Sequence, residues 1–190
     1  MKKFIVAAEN GNIAVTKKLL KRGVDVNIAS ENGMTALMVA SGKGYIETVK
    51  LLLEKGADVN ATTNDGTTAL MIASVYGNVD IVKLLLKNKA NVNIVNSNGE
   101  TALWGASEKG HAETVKLLQE KGANVNVATH DGVTALIAAA IDGYTGTVKF
   151  LLKNGADVNA TTENGVTALS VASLYGRTET VKLLLEEGAK

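Results

Sequence analysis

Residues 58–70 read Asp58-Val59-Asn60-Ala61-Thr62-Thr63-Asn64-Asp65-Gly66-Thr67-Thr68-Ala69-Leu70. The closing triplet returns as Thr35-Ala36-Leu37, Thr101-Ala102-Leu103, Thr134-Ala135-Leu136 and Thr167-Ala168-Leu169, with neighbouring copies always 33 residues apart. A fixed period of this size means one supersecondary unit copied and stacked, each copy burying its apolar face against its neighbours. Within the unit, Thr62 to Gly66 gathers turn formers and ends on Asp-Gly, which predicts a β-turn or short hairpin. Thr68 stands where an N-cap belongs, its hydroxyl placed to accept from an orphan backbone N–H. Ala69 to Val75 then reads as a short apolar helix and Tyr76-Gly77-Asn78 as a turn. Val79 to Asn88 reads as a second helix with Ile81, Val82, Leu84, Leu85 and Leu86 inward.

Other positions keep the same beat. Gly11, Gly44, Gly77, Gly110, Gly143 and Gly176 lie between the two helices, where a positive φ is expected. A second glycine series follows the second helix, except that Lys89 holds its place in one unit. A non-Gly residue in a left-handed conformation costs about 1 kcal/mol, so a weak junction or a different turn is expected there. The Asn that recurs at Asn27, Asn60, Asn93, Asn126 and Asn159 is expected to brace backbone between units. This structural reading is preferred over glycosylation for Asn60 and Asn159, although both sit in formal sequons.

With this pattern on the page, the sequence resembles the ankyrin-repeat family. That family's unit begins Asp-Val-Asn-Ala, turns through Gly-x-Thr-Pro-Leu-His and closes its second helix with Val-Lys-Leu-Leu-Leu before Gly-Ala. Ala57-Asp58-Val59-Asn60-Ala61, Gly66-Thr67-Thr68-Ala69-Leu70 and Val82-Lys83-Leu84-Leu85-Leu86 match it. The resemblance implies an all-α fold with short β-hairpin loops, an α-solenoid of hairpin–helix–turn–helix units. One domain is expected over 1–190, with an N-terminal helix pair at 2–23 and full units at 24–56, 57–89, 90–122, 123–155 and 156–188. Two family positions differ. The Pro is Ala36, Ala69, Ala102, Ala135 and Ala168, which the first helical position tolerates. The His is Met38, Met71, Trp104, Ile137 and Ser170, so apolar packing is expected to stand in for its hydrogen bonding.

Composition narrows the function. The formal net charge is +1 over 190 residues, with acids and bases interleaved, so no nucleic-acid footprint is expected. No stretch approaches membrane-spanning length, and the apolar run after Lys2-Lys3 ends at Glu9, short of a secretory signal. A soluble, cytoplasmic protein is expected. The chain has no cysteine and only two histidines, His111 and His130. Neither histidine has a companion at metal-ligand spacing, no nucleophile elbow is present, and Gly42-Lys43-Gly44 makes a poor phosphate loop. An enzyme is not expected, nor a cofactor. Glu47 with Lys50, Asp80 with Lys83, Glu113 with Lys116 and Glu179 with Lys182 are expected as ion pairs three residues apart that keep a face solvated.

In the ankyrin family, partner proteins are bound by hairpin tips and by the exposed side of the first helices, which line a concave groove. The resemblance places Lys43, Val75, Tyr76, Glu108, Lys109, Ile141, Asp142, Leu174 and Tyr175 on that surface, with His130 at a tip. Tyr76 and Tyr175 have two readings, partner contact or a ring laid across the next unit's first helix. Trp104 adjoins Gly105 and is read mainly as core filler in the volume that glycine vacates, with partner contact as the other reading. The expected function is a non-catalytic module binding another protein; a structural or engineered scaffold without a dedicated ligand is the alternative. The last unit keeps Leu183, Leu184 and Leu185 with little extra charge, so either the natural protein continues or ends stack between molecules.

Overall fold

The threonine that opens each first helix does what its position dictates. In the computed structural model, which describes residues 2–190, the side chains of Thr35, Thr68, Thr101, Thr134 and Thr167 accept from the backbone N–H three residues on. Each such helix therefore starts with one orphan donor satisfied. The first helices are α1 (Lys2–Glu9), α3 (Ala36–Lys43), α5 (Ala69–Val75), α7 (Ala102–Glu108), α9 (Ala135–Ile141) and α11 (Ala168–Leu174). Each is followed across a tight turn by α2 (Ile13–Lys21), α4 (Ile46–Glu54), α6 (Val79–Lys87), α8 (Ala112–Glu120), α10 (Thr145–Lys153) or α12 (Thr178–Glu186). Between pairs the chain makes the expected short hairpins, seen as antiparallel bridges at Ala29–Thr35, Thr62–Thr68, Ala128–Thr134 and Thr161–Thr167.

Helices of seven to nine residues are too short to persist alone, so packing must hold them. First helices pack on first helices and second on second, in sequence order, with each pair also packed on itself. One continuous core runs between the layers. From the second helices it takes Leu52, Leu85, Leu118, Leu151 and Leu184, each fully buried. Burial of such a side chain contributes roughly 1.5–3 kcal/mol. The first helices contribute Ala40, Ala73, Ala106, Ala139 and Ala172, also fully buried. Alanine lets backbones approach more closely than leucine does, and the first helices do lie closer together than the second. The stack therefore bends towards the first-helix layer, which becomes its concave side.

The recurring asparagine stitches successive units. Asn27 Nδ2 donates to Gly56 O (3.3 Å) while its Oδ1 accepts from the Asp58 N–H (2.7 Å). Asn60, Asn93 and Asn126 repeat both bonds one unit further each time. The Asn60 amide is thus committed to backbone. Of the two expectations at Lys89, a weak junction or a different turn, the different turn does not occur, because Lys89 keeps the left-handed geometry of the glycines. It takes φ +66°, the single non-glycine residue with positive φ among those described, and still offers its carbonyl to Asn60.

The position after each inter-helix turn carries a variable side chain, and from Tyr45 onward it reaches back to the preceding unit. Asn78 Nδ2 donates to Ser41 O (2.7 Å) and Gly42 O (3.1 Å), His111 Nε2 to Val75 O (3.0 Å), and Arg177 Nε to Ile141 O (2.9 Å). These carbonyls end the preceding unit's first helix and would otherwise lack a donor. Tyr45 and Tyr144 occupy the same position and lay their rings on Gly11 and Gly110, where an added Cβ would meet them at 2.8 Å and 2.5 Å. His111 is accordingly structural. At the family's His position, Met38, Met71 and Ile137 are buried, as apolar substitution requires. In addition, Met38 Sδ and Ser170 Oγ accept from the N–H groups of Thr35 and Thr167.

The expected ion pairs are only partly made. Glu47 and Lys50 do meet, at 2.7 Å. Lys83, however, turns from Asp80 to Glu113 of the next unit at 2.8 Å, and Lys116 and Lys182 approach Glu120 and Glu186 at 4.0 Å instead of Glu113 and Glu179. Lys83 thus reaches across the stack, while Lys116 and Lys182 take the carboxylate one turn further along their own helix.

Candidate functional site: the concave face

Two departures from the repeat shape the concave surface. Gly42 stands where other units have Val75, Glu108, Ile141 and Leu174, and Gly105 where others have Val39, Ile72, Ala138 and Val171. These two series face each other across successive first helices. A Cβ on Gly42 would lie 2.8 Å from Ile72 Cγ2, and one on Gly105 would lie 2.6 Å from Val75 Cγ2. The facing pairs are small against large, then large against small, so volume is conserved at the interface. Val75 of the preceding unit thus fills the volume beside Gly105 that the sequence had assigned to the Trp104 indole.

Tyr76 follows from this geometry. Its ring edge passes 3.6 Å from where a Gly42 Cβ would stand, so it leans back on the preceding unit and not forward on the next. It remains 66% exposed. On one side of it lies an open recess lined by Met34, Met38, Val39, Gly42 and Ile72 together with Glu9 and Lys43. On the other side lies a second open recess, walled by Met71, Val75, Trp104 and Gly105, with Thr67, Asn96 and Glu100 from the hairpins. Tips and first helices therefore share the same hollows.

The remaining sequence-selected residues fall on this face in different ways. Lys43, Lys109, Asp142 and His130 are exposed, and Glu108 is half-buried beside Lys109 at 3.2 Å. Asp142 lies 3.7 Å from Arg177. Val75 and Ile141 are half-buried, since they pack towards the next unit. Leu174 and Tyr175 are 76% and 53% exposed. Trp104 is half-buried, with its indole N–H enclosed and without an acceptor among the described residues. Met38 and Met71, expected only to pack at the family's His position, also wall the recesses together with Ile72, which the sequence had not singled out as a site residue. The signal was present in the two off-beat glycines.

The tips form a hydrogen-bonded row. Asn64 N donates to Asn32 O (3.0 Å), Ser97 N to Asp65 O (2.7 Å), His130 N to Asn98 O (3.0 Å) and Glu163 N to Asp131 O (3.1 Å). The hydroxyl of Thr63 donates to the Asp65 carboxylate, and that bond, with others from Thr67, holds the Asp65 carboxyl below its ordinary value of 3.8. On the convex side the Lys83 ammonium is raised above its ordinary range by the hydrogen bond to Glu113. Among the described residues no group of three or more His, Cys, Asp or Glu could hold a metal ion, and no helix is long and apolar enough to cross a membrane.

Comparison with known proteins agrees with this architecture. The family described as ankyrin repeats in three copies matches residues 4–96, 62–129 and 103–190. Among solved structures, the crystal structure of an ankyrin repeat domain from Acinetobacter baumannii is similar at 38% identity. The match covers 99% of this chain and 98% of that one, with a TM-score of 0.87. No curated protein matches the chain.

Proposed function

This chain belongs to the ankyrin-repeat family, and from that premise we propose that it is a non-catalytic module, acting in the cytoplasm, that binds a partner protein through its concave helix face and hairpin tips. The whole of 1–190 serves as one domain, with the helix pair 2–23 and the five units that follow it acting as a continuous scaffold. Ankyrin repeats are in general protein–protein interaction modules. The observation that carries the reading here is Tyr76, two-thirds exposed between two apolar recesses on an otherwise repeated frame. Exposed aromatic anchors flanked by apolar hollows are what interface hot spots are made of. First helices spaced about 8–10 Å apart give a groove of roughly 50 Å, long enough for an interface of about 1,600 Å².

The test is affinity capture with the native chain and with a variant carrying Tyr76→Ala, Lys109→Ala and Tyr175→Ala. These exposed positions leave the core intact, so the variant should keep its melting temperature and lose the captured partner. Undiminished capture would remove the concave face from contention.

A second reading, end-to-end self-association, is favoured by one specific match. Val6 and Leu174 occupy the two facing series that pack as Ile72 on Gly42 and Val75 on Gly105, and both are exposed, 47% and 76%. Each is thus half of a contact made inside the stack. Sedimentation velocity at rising concentration should show association that Leu174→Glu abolishes; a monomer at all concentrations would end this reading.

A further inference from the structure

The concave edge has a charge sign that the net charge hides. Each of the five hairpin tips carries one carboxylate, Glu31, Asp65, Glu100, Asp131 and Glu163, and no tip from Ala29 to Met34 or its four repeats holds a Lys or Arg. All but the half-buried Glu100 are exposed. Most of the cations lie instead on the second-helix layer, on the opposite side of the stack. Of the first-helix cations, Lys109 is partnered by Glu108, Glu9 lines the same recess as Lys43, and Lys2 lines a recess with Glu31 of the first tip, so the unopposed carboxylates are those of the four later tips. Glu100 lines the second recess beside Tyr76, and the other carboxylates stand on the neighbouring tips of the same hydrogen-bonded row.

We propose that the partner segment seated in this groove is an extended, basic peptide, with cationic side chains at about every third residue and an apolar side chain in a recess beside Tyr76. This rests on the reading of the concave face as a docking surface and names the chemistry of what docks. The charge complementarity selects a cation-bearing partner and disfavours acidic peptides and nucleic acids alike. The spacing selects the conformation. Tips stacked by direct backbone bonds repeat at about the 8–10 Å of packed helices, and a polyproline-type chain returns to the same side every three residues, about 9 Å. A cation at each third position then meets successive tip carboxylates while the residues between face the hollows.

Fluorescence anisotropy with three labelled peptides of about twelve residues, roughly 37 Å when extended, tests this. The first places Arg at every third position with Leu and Pro between, the second replaces each Arg by Glu, and the third groups the same Arg residues together. The first should bind, more weakly at higher salt. The grouped peptide, and the first peptide on an Asp65→Asn, Glu100→Gln, Asp131→Asn variant, should bind roughly tenfold more weakly, and the Glu peptide not at all. Asp65→Asn and Glu100→Gln each keep one oxygen that accepts a tip hydrogen bond, and a single cooperative melting transition verifies the fold. Failure of the Arg peptide to bind, equal binding of the Glu peptide or of the grouped peptide, or binding unchanged in the tip variant would each overturn the proposal. So would loss of binding through Glu113→Gln and Glu120→Gln on the convex side. These outcomes are separate from partner capture by the Tyr76, Lys109 and Tyr175 variant. If capture still depends on the groove while the Arg peptide fails, the groove stands and its assigned chemistry falls.

Discussion

The two layers of this stack are built from the same repeat yet fail in opposite ways. The second-helix layer is held by large side chains such as Leu85 and Leu118, fully buried at 0% exposure, with room for charged residues outside. The first-helix layer is held by closeness, alanine on alanine with Gly42 and Gly105 set against Ile72 and Val75. One layer is sensitive to lost volume and the other to added volume. The crowded layer is also the one whose outer surface varies from unit to unit, so the surface offered for recognition is mounted on the part least able to yield.

The largest effect should come from the outer layer. Leu85→Ala leaves a cavity in the middle of the stack and should lower unfolding stability by about 2–5 kcal/mol, read from urea denaturation. A smaller loss would mean that the layer collapses to fill the hole. Next is Gly105→Ala on the inner layer. In an ordinary helix this change gains about 1 kcal/mol, but a methyl group 2.6 Å from Val75 should outweigh that gain and give a net loss of about 1–2 kcal/mol. Made in a Val75→Ala background, the same substitution should become stabilising; equal effects in both backgrounds would break the pairing of these residues. Lys89→Gly should raise stability by up to about 1 kcal/mol, since it releases the φ of +66° at the cost of a more flexible unfolded chain. No gain in the urea midpoint would show that the lysine turn is relaxed.

The smallest effect belongs to the tips. The Asp65 carboxyl has its folded value lowered, chiefly by the Thr63 hydroxyl. The bound form is therefore the carboxylate, and the stability it adds is present above the ordinary carboxylate range. That stability is lost as pH falls from there through the depressed folded value. Asp65→Asn should remove that part of the acid dependence and leave the neutral-pH slope unchanged. A denaturation midpoint with the same pH profile below about 4 in both proteins would show that the tip bond does not couple to folding.

The sequence made some of this legible and concealed the rest for identifiable reasons. The caps at Thr35 to Thr167, the left-handed glycines and the asparagine brace are local or recur at a fixed offset, so a period found in one unit holds in all. The facing of Val75 with Gly105 was not visible, because it depends on how far one helix slides past another. Lys83 shows the same limit: Asp80 and Glu113 both lay within its reach, and the stack brought it to Glu113. Tyr76 was recognised as exposed, but its backward lean over Gly42 required the distance between two helices.

What the residues alone determined is the unit and its repetition, since capping, turn geometry and apolar periodicity act within a few residues of where they are written. What only the tertiary structure decided is the inner surface: which glycine admits which neighbour, where two hollows open beside Tyr76, and which tip residues reach them. Those features come from side chains one repeat apart meeting across a closely packed layer, and their meeting is fixed by separations of a few ångströms that spacing along the chain does not encode.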